Sequence, residues 1–294
     1  MTRLAAPPAP WGYVPPMVNH VQGKVVVVTG AGGGFGRLIS EMVAARGAMV
    51  VVADIDAPAL DGVVDGIRAA GGSAVACVAD VTSRVDMAAV ATVAVDTFGG
   101  IDVLVNNAGV MPLAFYADHV RAAEAWDRCI DINLKGVLNG IAAVYDQMIE
   151  QGRGHVVNIS SIYGNVPTAG AGVYAATKAA VNVLSDALRA EAQGRIKVTV
   201  VRPTGVPGTN LGSSIVNGDA LVGILGRNTE SYMDHIGRYF DGSMPAAMTD
   251  PDDIRYWAVT PEELAAQVVW VIDQPWGISI SDVTVRASGE EFLI

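Results

Sequence analysis

A chain of 294 residues, 51% hydrophobic and only 17% charged, has the apolar material for one large core sealed on two sides and too little charge for a long disordered region. Nineteen basic against 30 acidic residues give a formal charge of −11, which repels phosphate backbones and anionic lipid and so argues against nucleic-acid and membrane partners. No apolar run reaches the roughly 20 residues of a membrane helix. Cys77 and Cys129 lie in apolar segments without CxxC or Cys/His clustering, so they read as small core residues of a cytoplasmic protein.

Residues 1–22 carry five prolines among apolar residues. Proline breaks the helical stretch that a signal peptide needs, so this is read as an irregular arm, lying over its own domain or a neighbouring subunit. Residues 23–294 are expected to form a single domain. KVVVVTG from Lys24 reads as a strand buried on both faces, and it runs into the glycine-packed turn and helical pattern of TGAGGGFGRLISEMVAARG. Strand, Gly-rich turn and helix start come in the order a pyrophosphate site needs, although a plain flexible loop would look similar. The next strand, AMVVVAD, ends at Asp54, eighteen residues after Gly36. A carboxylate there can accept hydrogen bonds from ribose hydroxyls and repel a 2′-phosphate, and no Lys or Arg stands at positions 55–57 to reverse that preference. The alternative is a strand-end Asp that caps the following helix.

Helix APALDGVVDGIRAAGG, strand SAVACVAD, helix SRVDMAAVATVAVDTFGG and strand IDVLVNNAG continue the alternation, which predicts an α/β fold with a doubly wound, Rossmann-type parallel sheet. Asp80, Asn106 and Gly109 fall at carboxyl ends of strands, where such sheets bind ligands. A long helical region including Trp126 to Gln147 leads to strand HVVNISS and Ser161. A helix from Gly172 follows, then strand KVTVVRP, which opens into PTGVPGTNL. From Gly212 to Thr260 the pattern lapses, and this stretch is dense in aromatic and Met residues, among them Tyr232, Met233, Phe240 and Trp257. It reads either as an adaptable apolar lid over a substrate or as a satellite core or subunit contact. A helix from Pro261 with Thr260 as its cap, and strand SDVTVR, complete the domain. His20, His119, His155 and His235 are scattered, so no metal site is expected; His235, in the lid, is the one placed to reach a substrate.

Tyr174 and Lys178 in YAATK are four residues apart on a helix, which sets phenol and ammonium on one face. A fixed cation favours the phenolate, so such a tyrosine could exchange a proton near neutrality; an isolated pair of this kind is equally a surface coincidence. In company, TGAGGGFG at 29–36, Asp54, Asp80 with Val81, NNAG at 106–109, Asn133, Ser161, YAATK and the turn at Pro203 resemble the short-chain dehydrogenase/reductase family over about residues 24–210.

The resemblance implies a catalytic tetrad. Tyr174 would be the acid/base, Ser161 would hydrogen-bond the substrate oxygen, and Lys178 would lower the Tyr pKa and hold the nicotinamide ribose. Asn133 would kink its helix and position a water for a proton relay. It further implies a cofactor lined by Gly30, Gly34, Phe35 and Gly36 at the pyrophosphate. Asp54 would lie at the ribose, Asp80 and Val81 at the adenine, Asn106, Ala108 and Gly109 along the adenosine, and Pro203 and Val206 at the carboxamide. The expected activity is hydride transfer between NAD and a secondary alcohol or ketone, with an apolar, cyclic or bulky substrate. A redox-neutral epimerase and a non-catalytic NAD sensor are the alternatives. A homo-oligomer, dimer or tetramer, is also implied. The chain departs from the family pattern at Phe35, in the turn PTGVPGT, and in a C-terminus that lacks the common Asp-Gly-Gly.

Overall fold

The computed structural model describes residues 18–293. Seven parallel strands form the frame: β1 (Val25–Thr29), β2 (Met49–Asp54), β3 (Ser73–Val78), β4 (Val103–Asn106), β5 (Gly154–Ile159), β6 (Ile196–Pro203) and β7 (Asp282–Val285), in the order β3-β2-β1-β4-β5-β6-β7. The valine run of β1 explains how one sheet serves two cores. Val26 and Val28 enter a core shared with α1 (Gly34–Ala45), α2 (Ala57–Ala69) and α10 (Pro261–Ile272), while Val25 and Val27 enter the opposite one. That second core is roofed by α3 (Arg84–Phe98), α5 (Val137–Glu150) and α6 (Gly172–Glu191). All five β1 residues are buried, and each such valine contributes about 1.5–3 kcal/mol over its exposed state. The chain is thus a Rossmann-type single domain, as its alternation predicts.

The strand order reverses between β1 and β4, and the loops leaving these strands are locked together there. Asn107 Nδ2 donates to the carbonyls of Thr29 at 2.9 Å and Gly30 at 3.1 Å, and Thr29 Oγ1 accepts from the backbone N–H groups of Asn107 and Ala108. Gly30 has φ +64°, and a Cβ on it would come within 2.8 Å of Ala108 Cα. Only glycine satisfies both demands. A crevice at the carboxyl ends of the strands follows from this reversal.

The helical region around Asn133 is not one helix. α4 (His119–Ile130) passes through a π-helical turn, Asp131–Gly136, before α5 begins. Residues 212–260, where the sequence pattern lapses, fold as short helical turns with α7 (Val222–Leu225), the longer α8 (Thr229–Asp241) and α9 (Ala246–Thr249) among them. α7 and α9, of four residues each, are too short to show a helical period. The start of α10 agrees with the sequence reading: Thr260 Oγ1 accepts from Glu263 N–H, and the Glu263 carboxylate accepts from Thr260 N–H at 2.8 Å. The expected N-terminal arm lies, through residue 17, outside the described residues. Residues 18–22 sit on the domain, with His20 N–H donating to the Asp273 carboxylate at 2.7 Å. Among the described residues no helix is long and apolar enough to cross a membrane.

Candidate active site

β5 ends at Ile159, and Ser161 caps the tight turn Ile162–Gly164 by accepting from Tyr163 N–H. This turn is pressed onto α6. A Cβ on Gly164 would lie 2.9 Å from the backbone of Lys178, and Ser160 Oγ donates to the Lys178 carbonyl and to Asn182. Sequence spacing between Ser161 and Tyr174 is thereby converted into a fixed distance between two elements. Ser161, Tyr174 and Lys178 are all buried. Lys178 Nζ donates to the Ile159 carbonyl at 2.8 Å and lies 5.8 Å from the centre of the Tyr174 ring.

Burial, more than the Lys178 charge that the sequence reading invokes, sets the electrostatics of Tyr174. Burial is the dominant effect and holds the Tyr174 phenol above its ordinary value; the Ser161 hydroxyl opposes this and Cys129 adds to it. Burial also lowers Lys178 to about 8, with Cys129 pulling weakly the other way. Both side chains resist charging because a low-dielectric site penalises an ion of either sign. The lysine, rather than the tyrosine, is the group poised near neutrality.

Asn133 lies in the middle of the π-helical turn with no exposed surface. Its Oδ1 accepts from Val110 N–H at 2.9 Å and its Nδ2 donates to the Val110 carbonyl at 2.9 Å. An amide is the one side chain that can satisfy a backbone donor and acceptor together in this way. Asn133 therefore fixes the strand end after β4, and Gly109 packs between Asn133 and Lys178: a Cβ on it would come 3.3 Å from Asn133 Oδ1, a tight contact, and 3.7 Å from Lys178 Nζ, an ordinary one. A π-helical turn is uncommon and concentrates at functional sites.

These residues open onto a cavity of about 1290 Å³ at the carboxyl edge of the sheet. Drug-sized sites run to roughly 300–1,000 Å³, so the space exceeds what one small molecule fills. Gly30, Gly34, Phe35, Asp54, Asp80 and Val81 line one end, Ala108, Gly109, Ser161, Tyr174 and Lys178 the middle, and Pro203 and Val206 the wall after β6. Three sequence-predicted residues do not reach the wall. Asn133 stands behind it. Gly36 packs under the turn, where a Cβ would strike the Gly30 carbonyl at 2.1 Å. Asn106 points into the sheet, donating to Asn158 Oδ1 at 2.8 Å, because strand alternation turns its side chain towards α5, while Asn107 faces the crevice. Sequence reasoning missed Asn107, Tyr163 and Phe292, all of which line the cavity. Asn107 could have been found from the same alternation; Tyr163 and Phe292 carry no local motif.

A dinucleotide fits this end. α1 starts on Gly33 without a side-chain cap, so its first N–H groups face the crevice unshielded, as a pyrophosphate requires. At the end of β2, Asp54 Oδ2 accepts from Gly32 N–H at 2.9 Å, and its Oδ1 accepts from Asp56 N–H. That fixes the carboxylate at the wall beside the glycine turn.

The opposite end is apolar. Tyr232, Met233, Ile236 and Phe240 of α8 line it together with Phe292 from the C-terminus. Behind them Trp257 packs against Tyr232 at 5.3 Å, Tyr239 at 6.0 Å and His235 at 5.8 Å between ring centres. The lid segment is thus both a cavity wall and a satellite core. His235 belongs to the latter: its Nδ1 lies 3.0 Å from the Glu291 carboxylate and it does not line the cavity.

A family model described as short chain dehydrogenase matches residues 24–219. The chain belongs to the short-chain dehydrogenase family. It is an oxidoreductase of that family, and similar to an uncharacterized oxidoreductase of Listeria innocua, 32% identical over 90% of this chain and 96% of the other. A 2,5-dichloro-2,5-cyclohexadiene-1,4-diol dehydrogenase of Sphingobium indicum is 36% identical over 65% of this chain and 76% of its own. Among solved short-chain dehydrogenases, a metagenomic short-chain oxidoreductase in complex with NADP is 30% identical with a TM-score of 0.68, covering 91% of this chain and 98% of that one. A short-chain dehydrogenase/reductase of Burkholderia phymatum in complex with NAD is 26% identical with a TM-score of 0.71, covering 90% and 89%.

Proposed function

We propose that this short-chain dehydrogenase interconverts a secondary alcohol and a ketone with NAD as cofactor, on an apolar cyclic or bulky substrate. The observation that carries the reading is the buried group of Ser161, Tyr174 and Lys178 between a cofactor-sized crevice and an apolar wall. When bound, the nicotinamide supplies or accepts the hydride. Tyr174 Oη gives its proton to the ketone oxygen in reduction and takes it back in oxidation. Ser161 Oγ hydrogen-bonds the same oxygen as charge develops on it. Lys178, protonated below about 8, makes the departing phenol proton less costly and offers donors to the ribose. Asn133 positions the backbone at Val110 and, through Gly109, the floor beneath Lys178. Gly30, Gly34 and Phe35 would hold the pyrophosphate, Asp80, Val81 and Ala108 the adenosine, and Pro203 and Val206 the carboxamide.

Preference for NAD is supported by Asp54, whose carboxylate lines the crevice and would repel a 2′-phosphate, with Ile55 and Asp56 beside it offering no positive charge. The apolar α8 face supports the substrate class, and the cyclic diol in the name of the Sphingobium relative points the same way. The test is an absorbance assay at the NADH band with NAD or NADP and a panel of secondary alcohols from small aliphatic to polycyclic. NAD-linked turnover concentrated on the cyclic members is the expected result. NADP-linked turnover would overturn the cofactor assignment, and cofactor binding without turnover of any alcohol or ketone would overturn the activity.

A further inference from the structure

Residues 289–293 form no regular element, yet they are held at more points than most loops. Gly289 N–H donates to the Tyr256 carbonyl at 2.8 Å, Asn228 Nδ2 to the Glu291 carbonyl at 2.8 Å, and Leu293 N–H to the Ile224 carbonyl at 3.1 Å. The Glu291 carboxylate gathers three side chains from the lid segment: Trp257 Nε1–H at 2.8 Å, His235 Nδ1 at 3.0 Å, and the Ser231 hydroxyl. Two of these, Ser231 and His235, belong to α8, whose apolar face lines the cavity. Burial raises the Glu291 carboxyl, and the hydrogen bonds from Ser231, His235 and Trp257 outweigh it, leaving the group below its ordinary value.

The tail also has a seat cut for it in the backbone. A Cβ on Gly205 would strike the Phe292 ring at 2.4 Å, one on Gly226 would meet Leu293 at 2.6 Å, and one on Gly289 would meet the Arg255 carbonyl at 2.4 Å. Gly205 lies in PTGVPGT, the turn where the chain departs from the family pattern, and Phe292 lies in the C-terminus that departs as well. Phe292 is wedged between that turn and Tyr232 of α8, 5.6 Å away between ring centres, and so joins the wall after β6 to the α8 end of the cavity.

We infer that Phe292 is the specificity-determining residue that limits the size of the substrate, and that Glu291 is a positioning residue that fixes Phe292 and α8 as one wall. The inference rests on reading the cavity as an alcohol or ketone site. Phe292→Ala removes the ring without touching Ser161, Tyr174 or Lys178. It should raise kcat/KM for the largest cyclic ketones relative to the smallest by roughly tenfold or more, as removal of a pocket-filling group does, with the dissociation constant of NADH unchanged. Glu291→Ala should raise KM severalfold for bulky substrates with kcat nearly kept, and should increase hydrogen–deuterium exchange across residues 229–241. Glu291→Gln, whose single amide oxygen keeps the acceptor for Trp257 while its NH2 can donate to the Ser231 hydroxyl, should restore most of both. An unchanged size ranking in Phe292→Ala would overturn the role of the ring, and unchanged exchange in Glu291→Ala would overturn the anchoring. If the wild-type protein reduces none of the ketones, the alcohol–ketone reading falls, and the exchange experiment still decides whether Glu291 holds the wall.

Discussion

The two ends of the cavity are built on different principles. At the sheet edge, three functional side chains are fixed by main-chain groups: Lys178 by the Ile159 carbonyl, Asn133 by both polar groups of Val110, Asp54 by Gly32 N–H. At the α8 end side chains join the main-chain bonds of residues 289–293 in holding the wall, three of them meeting on one carboxylate. Backbone anchoring survives changes of neighbouring side chains and suits chemistry that must be held to a fraction of an ångström. Side-chain anchoring can be rewritten by a few substitutions, which suits a surface that selects substrates. Edge variants should therefore change kcat for every substrate alike, and wall variants should change KM in a substrate-dependent way.

The largest effect belongs to Tyr174→Phe, which removes the proton donor and leaves the ring. Turnover should fall by about 10²–10⁴-fold, equally for small and bulky substrates, with NADH affinity near that of the wild type. A loss confined to bulky substrates would erase the distinction between edge and wall. Asn133→Ala comes next. It takes the amide partner from the half-buried Val110 N–H and carbonyl, at up to about 1–3 kcal/mol for each. Thermal unfolding should show the loss, and kcat should fall with it for all substrates.

The fold was legible because its signal is repeated: strand runs alternating with turns and helix patterns make one parallel sheet. The edge residues were legible because chemistry requires specific residue types at fixed spacings, as in YAATK. Asn106 shows the limit, since the NNAG motif does not say which asparagine faces the crevice until the pleat of β4 is known. The wall was less legible for a physical reason. Phe292 reaches the cavity from 86 residues beyond Val206, its neighbour on the same wall, through a seat made by Gly205, Gly226 and Gly289 that no local pattern announces. Burial decided the electrostatics in the same way, because its strength depends on the whole packed structure.

A pH profile sharpens the edge half of the comparison with a smaller effect. Lys178 is lowered from its ordinary 10.5 to about 8 by burial. Between those values the unfolded chain binds more protons than the folded one, so this group's destabilising contribution is present below pH 8 and is relieved as pH rises towards 10.5. Activity should run the other way. Ketone reduction, which uses the phenol proton and benefits from the ammonium, should be level through neutrality and decline as pH rises through about 8. Lys178→Arg, whose charge persists to far higher pH, should remove that limb in whatever activity it retains. A limb that stays in place would assign the titration to another group.

The smallest effect lies where the two ends meet. Tyr163 packs edge-on against Tyr174, 5.5 Å between ring centres at 74°, and its buried hydroxyl has no hydrogen-bond partner among the described residues. Burial, with Tyr174 and Tyr232 nearby, holds its phenol well above the ordinary value, so it stays neutral. A buried hydroxyl without a partner costs about 1–3 kcal/mol, and Tyr163→Phe removes the cost while keeping the ring contact. The variant should melt a few degrees higher, roughly 2–4 °C per kcal/mol for a domain of this size. Mono-oxygenated substrates should be turned over as before, since the phenol proton used in the reaction is that of Tyr174. A lower melting temperature would mean that the hydroxyl finds a partner in solution, which would make Tyr163 a polar member of the edge rather than the first residue of the apolar wall.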